Sequence, residues 1–212
     1  MFSFRRGSAL VPSNSHRIIF VRHGETAYNA EKRLEGQRDV PLNDRGREQA
    51  TAVGRALSAA LADELARLDA AGDFYASSLL RARQTMELAR AAMGLAPKRY
   101  QVSPELMEMS FGEWDGLTLA EVAARDPAAA RAREADKWRF VPPGGESYAM
   151  LVERVTPWLA AHPADCFIVA HGGVARAFLV ILAGFDAAQA ENAEIWQDRA
   201  LIFADGGYSW LG

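Results

Sequence analysis

The sequence predicts an α/β fold with a largely parallel sheet. Two short apolar runs, 18–21 and 166–170, are typical of strands buried on both faces. Segments with helical periodicity separate them, and strands that alternate with helices form parallel sheets. No internal repeat or low-complexity linker interrupts this pattern. We therefore expect one domain over residues 16–212, preceded by a flexible N-terminal arm over residues 1–15.

The remaining elements follow from caps, periodicity and proline. Asn43 is a good N-cap, and apolar residues recur every four positions from Val53 to Leu65, which predicts a long helix. A weaker strand at 73–77 runs directly into the next helix. The stretch at about 115–145 looks like a helical insertion that could act as a lid. Further helices are expected at 79–93, from Thr118 with its capping box to Glu121, from Pro127, at 148–159 and at 175–183, and a last strand at 200–203.

Composition limits the class of protein. A net charge of −3 over 212 residues argues against a general nucleic-acid or membrane-surface partner. No apolar run approaches the ~20 residues that a membrane span needs. The single cysteine, Cys166, excludes an internal disulfide and fits a reducing compartment. The expectation is a cytoplasmic protein.

The most informative local feature occurs twice. An apolar strand ends in His23-Gly24, and the other ends in His171-Gly172-Gly173. Ligands of parallel α/β sheets bind outside the carboxyl ends of the strands, so both histidines should lie at the ligand-binding edge. Glycine lets the backbone approach a ligand, and the following helix offers N–H groups to an anion. The alternative is two unrelated histidines that hydrogen bond at strand ends.

Arginines near these strands point to a phosphate. Arg22 precedes His23, and Arg81 and Arg83 fall in the first turn of a helix that we expect Ser77 or Ser78 to cap. Cations there oppose the helix dipole, whereas guanidinium groups bind phosphate oxygens with paired hydrogen bonds. We expect Arg81 to bind a phosphate and Arg83 to face solvent.

Five segments occur in order between residue 17 and about residue 205: Val21-Arg22-His23-Gly24-Glu25-Thr26 with Asn29, then 77–85, 106–116, 143–147 and 169–173. Taken together, these motifs resemble the histidine phosphatase superfamily, the phosphoglycerate mutase-like proteins, in its phosphatase branch. The resemblance implies a three-layer α/β/α sandwich with a mostly parallel central sheet. It also implies a phosphoric monoester hydrolase that needs no cofactor or metal and acts on a small phosphate ester.

The resemblance also implies a role for individual residues. His23 would be the nucleophile, and His171 would stabilise the transferring group. Arg22 and Arg81 would bind the phosphate, and Glu108 would protonate the leaving oxygen and then activate water. Further phosphate contacts would come from Thr26, Asn29, Gly36, Gln37 and the backbone N–H of Gly172.

Elementary chemistry agrees with these roles. Phosphoryl transfer needs positive charge around three oxygens and little else, so two arginines and a second, preferably protonated, histidine suffice. A leaving alkoxide needs an acid. Without the resemblance, Glu105 and Glu113 compete with Glu108 for that task.

Three alternatives stay open. A phosphoglycerate mutase would use the same residues, although His171-Gly172-Gly173 and Met109-Ser110-Phe111 differ from the pattern of mutases. A non-catalytic phospholigand-binding protein is disfavoured because every expected position is filled. Zinc held by His23, Glu25 and His171 is a minor possibility, because the adjacent arginine would repel a cation.

Overall fold

A computed structural model describes residues 16–212, so the predicted N-terminal arm lies outside the described residues. Six strands form one sheet in the order β3-β2-β4-β1-β5-β6. The strands β3, β2, β4 and β1 are parallel to one another. β5 pairs antiparallel with β1, and β6 pairs antiparallel with β5. The strands are β1 (Ile18–Arg22), β2 (Phe74–Ser77), β3 (Gln101–Ser103), β4 (Cys166–Ala170), β5 (Ala200–Ala204) and β6 (Gly207–Leu211).

Helices cover both faces of this sheet. Side chains alternate along β1: Ile19 and Val21 pack with the core of one face, and Ile18 and Phe20 with the core of the other. The first core is completed by α2 and α3, the second by α6 and α7. The predicted α/β sandwich with a mostly parallel sheet is confirmed. The helices are α1 (Ala27–Ala30), α2 (Asp44–Ala71), α3 (Leu80–Ala92), α4 (Leu119–Arg125), α5 (Pro127–Ala135), α6 (Tyr148–Ala161), α7 (Gly172–Ala183) and α8 (Ala187–Asn192).

The predicted caps form as the sequence indicates. Asn43 Oδ1 accepts the backbone N–H of Gly46 at 2.8 Å, which begins α2. Thr118 and Glu121 form a capping box at α4. Asp126 then caps α5, with proline at the first helical position. The predicted helical insertion therefore consists of α4, α5 and the loop that leads to α6.

Some elements differ from the prediction. The N-cap of α3 is Leu79, with no side-chain hydrogen bond, rather than Ser77 or Ser78. Ser77 is instead the last residue of β2, and its hydroxyl is used elsewhere. α7 begins at Gly172, directly after the histidine and three residues before its expected start. The short strands β3 and β6 and the helix α8 were not predicted.

The topology brings three strand ends to one place. β1, β2 and β4 are neighbours and parallel, so Arg22, Ser77 and Ala170 lie at the same edge of the sheet. The residues that follow these ends line a common region. None of the helices within residues 16–212 is both long and apolar enough to cross a membrane.

Candidate active site

His23 directly follows β1 and is almost fully buried. Its Nδ1 lies 2.8 Å from the carbonyl oxygen of Gly24, which can only accept, so Nδ1 carries the proton of the neutral ring. Nε2 keeps its lone pair, and Arg81 Nε donates to it at 3.3 Å. An unprotonated ring nitrogen is what a nucleophilic imidazole requires.

The backbone around His23 is tied to three elements. Its N–H donates to the carbonyl of Ala170 at 2.9 Å, and the N–H of Gly24 donates to Thr85 Oγ1 at 3.0 Å. Gly24 also lies against the first turn of α2. A Cβ on Gly24 would come within 2.9 Å of the Gly46 Cα and would collide with its carbonyl oxygen. A Cβ on Gly46 would collide with the carbonyl oxygen of Glu25.

His171 caps α7 and faces His23, with the ring centroids 5.1 Å apart. Its Nε2 lies 2.7 Å from Ser77 Oγ. Its Nδ1 is buried and has no hydrogen-bond partner within the described part of the chain. An unpartnered ring nitrogen at this edge fits a site that awaits a ligand.

Both imidazoles are neutral in the ligand-free site. Burial, then Arg81 and Arg22, lower the pKa of His23 well below its ordinary value. Burial also lowers the pKa of His171, and Arg81, His23 and Arg22 add to the effect. This suits a nucleophile at His23. In the free protein the cations around His171 oppose a second positive charge, so a protonated His171 stays a prediction for the phosphate-bound site. A bound phosphate dianion would raise the pKa of His171.

Arg81 is fully buried at the start of α3. Its Nη1 donates to the carbonyl of Arg38 at 2.7 Å and its Nη2 to that of Gly36 at 2.8 Å. Burial lowers the pKa of Arg81, and Glu35 and Glu108 oppose that shift. Each terminal nitrogen keeps one further N–H for a ligand. Arg83, in contrast, is half-buried, although its Nε is buried and has no partner within residues 16–212.

Arg22 extends from the end of β1 towards the last part of the chain. Its Nη1 donates to the carbonyl of Ile195 at 2.8 Å, and its Nε is buried with no partner among the described residues. A Cβ on Gly172 would lie 3.6 Å from this Nε and 3.2 Å from Arg176 Nη1. Two guanidinium groups therefore lie over the first residue of α7. Burial lowers the pKa of Arg22, and the carboxylate of Glu108 opposes the shift most strongly.

Three cations hold one segment of the chain. Lys137 from the insertion, Arg176 from α7 and Arg22 donate to alternate carbonyls of residues 191–195, at 2.6, 2.9 and 2.8 Å. Burial lowers the pKa of Lys137, and Arg176 lowers it further. The end of α8 and the residues that follow it are therefore bound to the same positive cluster, which includes Arg22.

Glu108 lies at the start of α7. Its Oε2 accepts the N–H of Gly173 at 3.0 Å, and its Oε1 accepts its neighbour's N–H, that of Met109, at 2.9 Å. Glu105 and Glu113 are exposed. Among the three carboxylates, Glu108 is the one that the structure brings beside His171 and Arg22.

The predicted phosphate contacts Thr26 and Asn29 converge on a residue that the sequence did not indicate. Glu35 is 6% exposed and accepts a hydrogen bond from Thr26 Oγ1 and one from Asn29 Nδ2, the latter at 3.0 Å. Its Oε2 lies 3.5 Å from Arg81 Nε and 3.7 Å from His23 Nε2. A carboxylate thus faces the ring nitrogen expected to attack.

The remaining predicted phosphate contacts are Gly36, Gln37 and Gly172, and the first two contact other residues of the site. Gly36 has a φ of +52° and packs against the side chain of Asp115, whose pKa burial raises. Gln37 Nε2 donates to the carbonyl of Glu108 at 3.0 Å. Gly172 is the first residue of α7, where a helix presents N–H groups to an anion. Gly36 and Gln37 thus contact Arg81 and Glu108, and Gly172 directly follows His171.

Glu25 does not join the two histidines. Its carboxylate accepts from Asn43 Nδ2 at 2.9 Å and lies 3.5 Å from Arg45. Over the described range 16–212, no three or more His, Cys, Asp or Glu side chains are grouped as metal ligands would be. The zinc hypothesis built on His23, Glu25 and His171 is therefore not supported by the position of Glu25.

Comparison with known proteins decides the family. The model of the histidine phosphatase superfamily (branch 1) matches residues 18–203, which include every residue of the candidate site. The chain belongs to the histidine phosphatase superfamily.

Individual relatives in this superfamily carry different activities in their names. The metal-independent phosphoserine phosphatase of Arabidopsis thaliana is 33% identical over 87% of this chain and 76% of its own. The 2,3-bisphosphoglycerate-dependent phosphoglycerate mutase 2 of Gloeobacter violaceus is 31% identical over 91% of this chain and 88% of its own. The crystal structure of the α-ribazole phosphatase from Shigella flexneri is 25% identical, has a TM-score of 0.74 and covers 91% of this chain and 93% of its own. The chain is therefore similar to phosphatases and phosphotransferases alike.

Sequence reasoning missed three residues of this histidine phosphatase site. Ser77 and Thr85 hydrogen bond to His171 and to Gly24, and Glu35 faces His23. Ser77 ends a strand at the ligand-binding edge, which is the signal that could have found it. Glu35 precedes Gly36 in a loop without periodicity, so only its proximity to a predicted contact pointed to it.

Proposed function

We propose that the chain is a metal-independent phosphomonoesterase that acts through a phosphohistidine intermediate on a small phosphorylated metabolite. The observation that carries the proposal is the state of His23: its Nδ1 proton is bound to the Gly24 carbonyl and its Nε2 lone pair faces the guanidinium of Arg81. The metal-independent relative from Arabidopsis thaliana supports the absence of a metal from the mechanism.

In the first step, His23 Nε2 attacks phosphorus and the bond to the ester oxygen breaks. Arg22 and Arg81 neutralise the phosphoryl oxygens, and the carboxyl group of Glu108 gives its proton to the leaving alkoxide. The products are phosphohistidine, an alcohol and the carboxylate form of Glu108. His171 is well placed to donate a hydrogen bond once the dianion has raised its pKa.

In the second step, the Glu108 carboxylate takes a proton from water as the water oxygen attacks phosphorus. The bond from phosphorus to His23 breaks, inorganic phosphate leaves, and both residues return to their starting states. Glu108 lies at the N-terminus of α7, where its Oε2 accepts the Gly173 N–H, so the same hydrogen bond can hold the carboxylate in place for this step.

The covalent intermediate is the decisive test. Phosphohistidine is stable in alkali and labile in acid, so substrate labelled in its phosphate should leave acid-labile label on the protein after an alkaline quench. His23→Ala should abolish both label and turnover, whereas His171→Ala should slow labelling without moving its site. Label on His171 in a peptide map would reverse the two roles. Rapid turnover by His23→Ala would refute covalent catalysis.

The relative named as a mutase makes phosphoglycerate mutase activity the alternative to measure. Release of inorganic phosphate and mutase turnover with 2,3-bisphosphoglycerate present should be assayed in parallel. We expect phosphate release to dominate. Mutase turnover that exceeds it would replace hydrolysis as the activity, and the absence of both would leave a phospholigand-binding protein. A screen of phosphorylated metabolites, scored by phosphate release, then identifies the substrate.

A further inference from the structure

The pocket at His23 Nε2 already contains an anion that belongs to the chain. Glu35 lies 3.7 Å from this nitrogen and 3.5 Å from Arg81 Nε, and Thr26 and Asn29 donate hydrogen bonds to it. The four partners of Glu35, namely His23, Arg81, Thr26 and Asn29, are residues expected to contact the phosphoryl group. One carboxylate therefore occupies the partners that a phosphate would use.

A phosphoryl group and this carboxylate cannot share the position. Attack by Nε2 requires phosphorus at about 3–3.5 Å, and a Glu35 oxygen lies at nearly that distance from the same nitrogen. Two negative groups in contact in a buried site also repel each other strongly. The cations that face Glu35 are Arg81 and, farther away, Arg22. His23 is neutral, and the carboxylate of Asp115 lies against Gly36, the residue after Glu35.

We infer that Glu35 sets the affinity of this pocket for phosphate: its carboxylate takes the place of the phosphoryl group in the free protein, and an incoming phosphate must displace it. The inference rests on the proposed function, since it concerns the same pocket. Arg81 holds the loop backbone at Gly36 and Arg38. The loop therefore stays in place, and the Glu35 side chain leaves the pocket by rotation about its own bonds. The carboxylate returns when inorganic phosphate leaves, so it favours product release.

The test compares phosphate binding by the wild-type protein and by Glu35→Gln, which keeps the size of the side chain and removes its charge. Calorimetry with inorganic phosphate at neutral pH and constant ionic strength gives the dissociation constants without any need for turnover. Removing a full charge in contact with the bound anion should tighten binding by about tenfold or more. Glu48→Gln, on the exposed face of α2, removes the same charge at a residue with no contact to His23 or Arg81 among those described, and it should bind like the wild type. With an ester substrate, KM should fall in Glu35→Gln while kcat does not rise.

A purely structural role for Glu35 predicts the opposite result. If Glu35→Gln binds phosphate no more tightly than the wild type, the inference is wrong even though esters are hydrolysed. Tighter binding without hydrolysis by either protein would uphold the inference and overturn the proposed function. Absence of phosphate binding to both proteins at millimolar concentration would overturn the inference, and ester hydrolysis would decide the proposed function separately. Should Glu35→Gln fail to fold, Glu35→Asp, whose carboxylate is withdrawn by one methylene, must still bind phosphate more tightly than the wild type.

Discussion

Replacement of Arg81 tests the electrostatic part of the mechanism. Each hydrogen bond from its guanidinium to a phosphoryl oxygen is charge-assisted and contributes about 1.5–3 kcal/mol. Two such bonds in the transition state amount to about 3–6 kcal/mol, and because about 1.4 kcal/mol is a factor of ten, Arg81→Ala should lower kcat/KM by roughly 10²–10⁴.

The same change has a structural cost. Arg81→Ala leaves the carbonyls of Gly36 and Arg38 without their donor and leaves Glu35 without its buried cation. We expect a loss of about 3–5 kcal/mol in the free energy of unfolding. Arg81→Lys keeps the charge but not the paired geometry, so it should lose less stability and remain well below the wild type in kcat/KM.

Steady-state hydrolysis of p-nitrophenyl phosphate, at a temperature where circular dichroism shows each variant to be folded, measures the effect. Arg83→Ala is the matched control, because Arg83 is two residues away on α3 and half-buried, and it should change kcat/KM little. Equal losses in Arg81→Ala and Arg83→Ala would refute the assignment, as would a folded Arg81→Lys with wild-type kcat/KM.

Three further predictions follow from the site. Glu108→Gln should slow alkyl phosphates more than p-nitrophenyl phosphate, whose phenolate needs little protonation; the same pattern in Glu105→Gln or Glu113→Gln would assign the acid to a neighbour. EDTA should leave phosphate release unchanged, and a loss restored by zinc or magnesium would contradict a metal-independent mechanism. Because the pKa values of His23 and His171 are lowered in the folded protein, the unfolded chain binds more protons below about pH 6.5. The free energy of unfolding should therefore decrease as the pH is lowered below about 6.5, by about 1.4 kcal/mol per pH unit for each histidine. Urea titrations at several pH values should show that the free energy of unfolding of His171→Gln depends less steeply on pH than that of the wild type. An unchanged slope would mean that His171 is not neutral in the folded protein.

The parts of the fold that sequence predicts are those with strong local signals. β1 and β4 are continuous apolar runs buried on both faces, and their patterns have no competing explanation. β3 has two exposed residues of three at the edge of the sheet, and β6 is half-exposed, so neither has a periodicity that identifies it. Both depend on pairing with a neighbouring strand, which no local pattern encodes.

The candidate site divides in the same way. His23 and His171 are found because strand ends of a parallel sheet meet at one edge. Their protonation is not found, since it depends on Arg22 and Arg81 lying beside them in a buried space. Glu35 escapes for the same reason: an acidic loop residue is usually solvated, and only the fold removes this one from water.

The contact between Gly24 and Gly46 has a consequence for how this protein can change. Neither position accepts a Cβ, because each would collide with the backbone of the opposite segment. His23 is therefore held close to α2 by a main-chain contact that leaves no room for a side chain, and random mutagenesis should recover almost no active variants at these two positions. The helices α4 and α5 lie outside this contact between Gly24 and Gly46. New substrate preferences are best sought by exchanging exposed residues of α4 and α5, because this keeps Asp115 against Gly36 and Lys137 in the cation cluster.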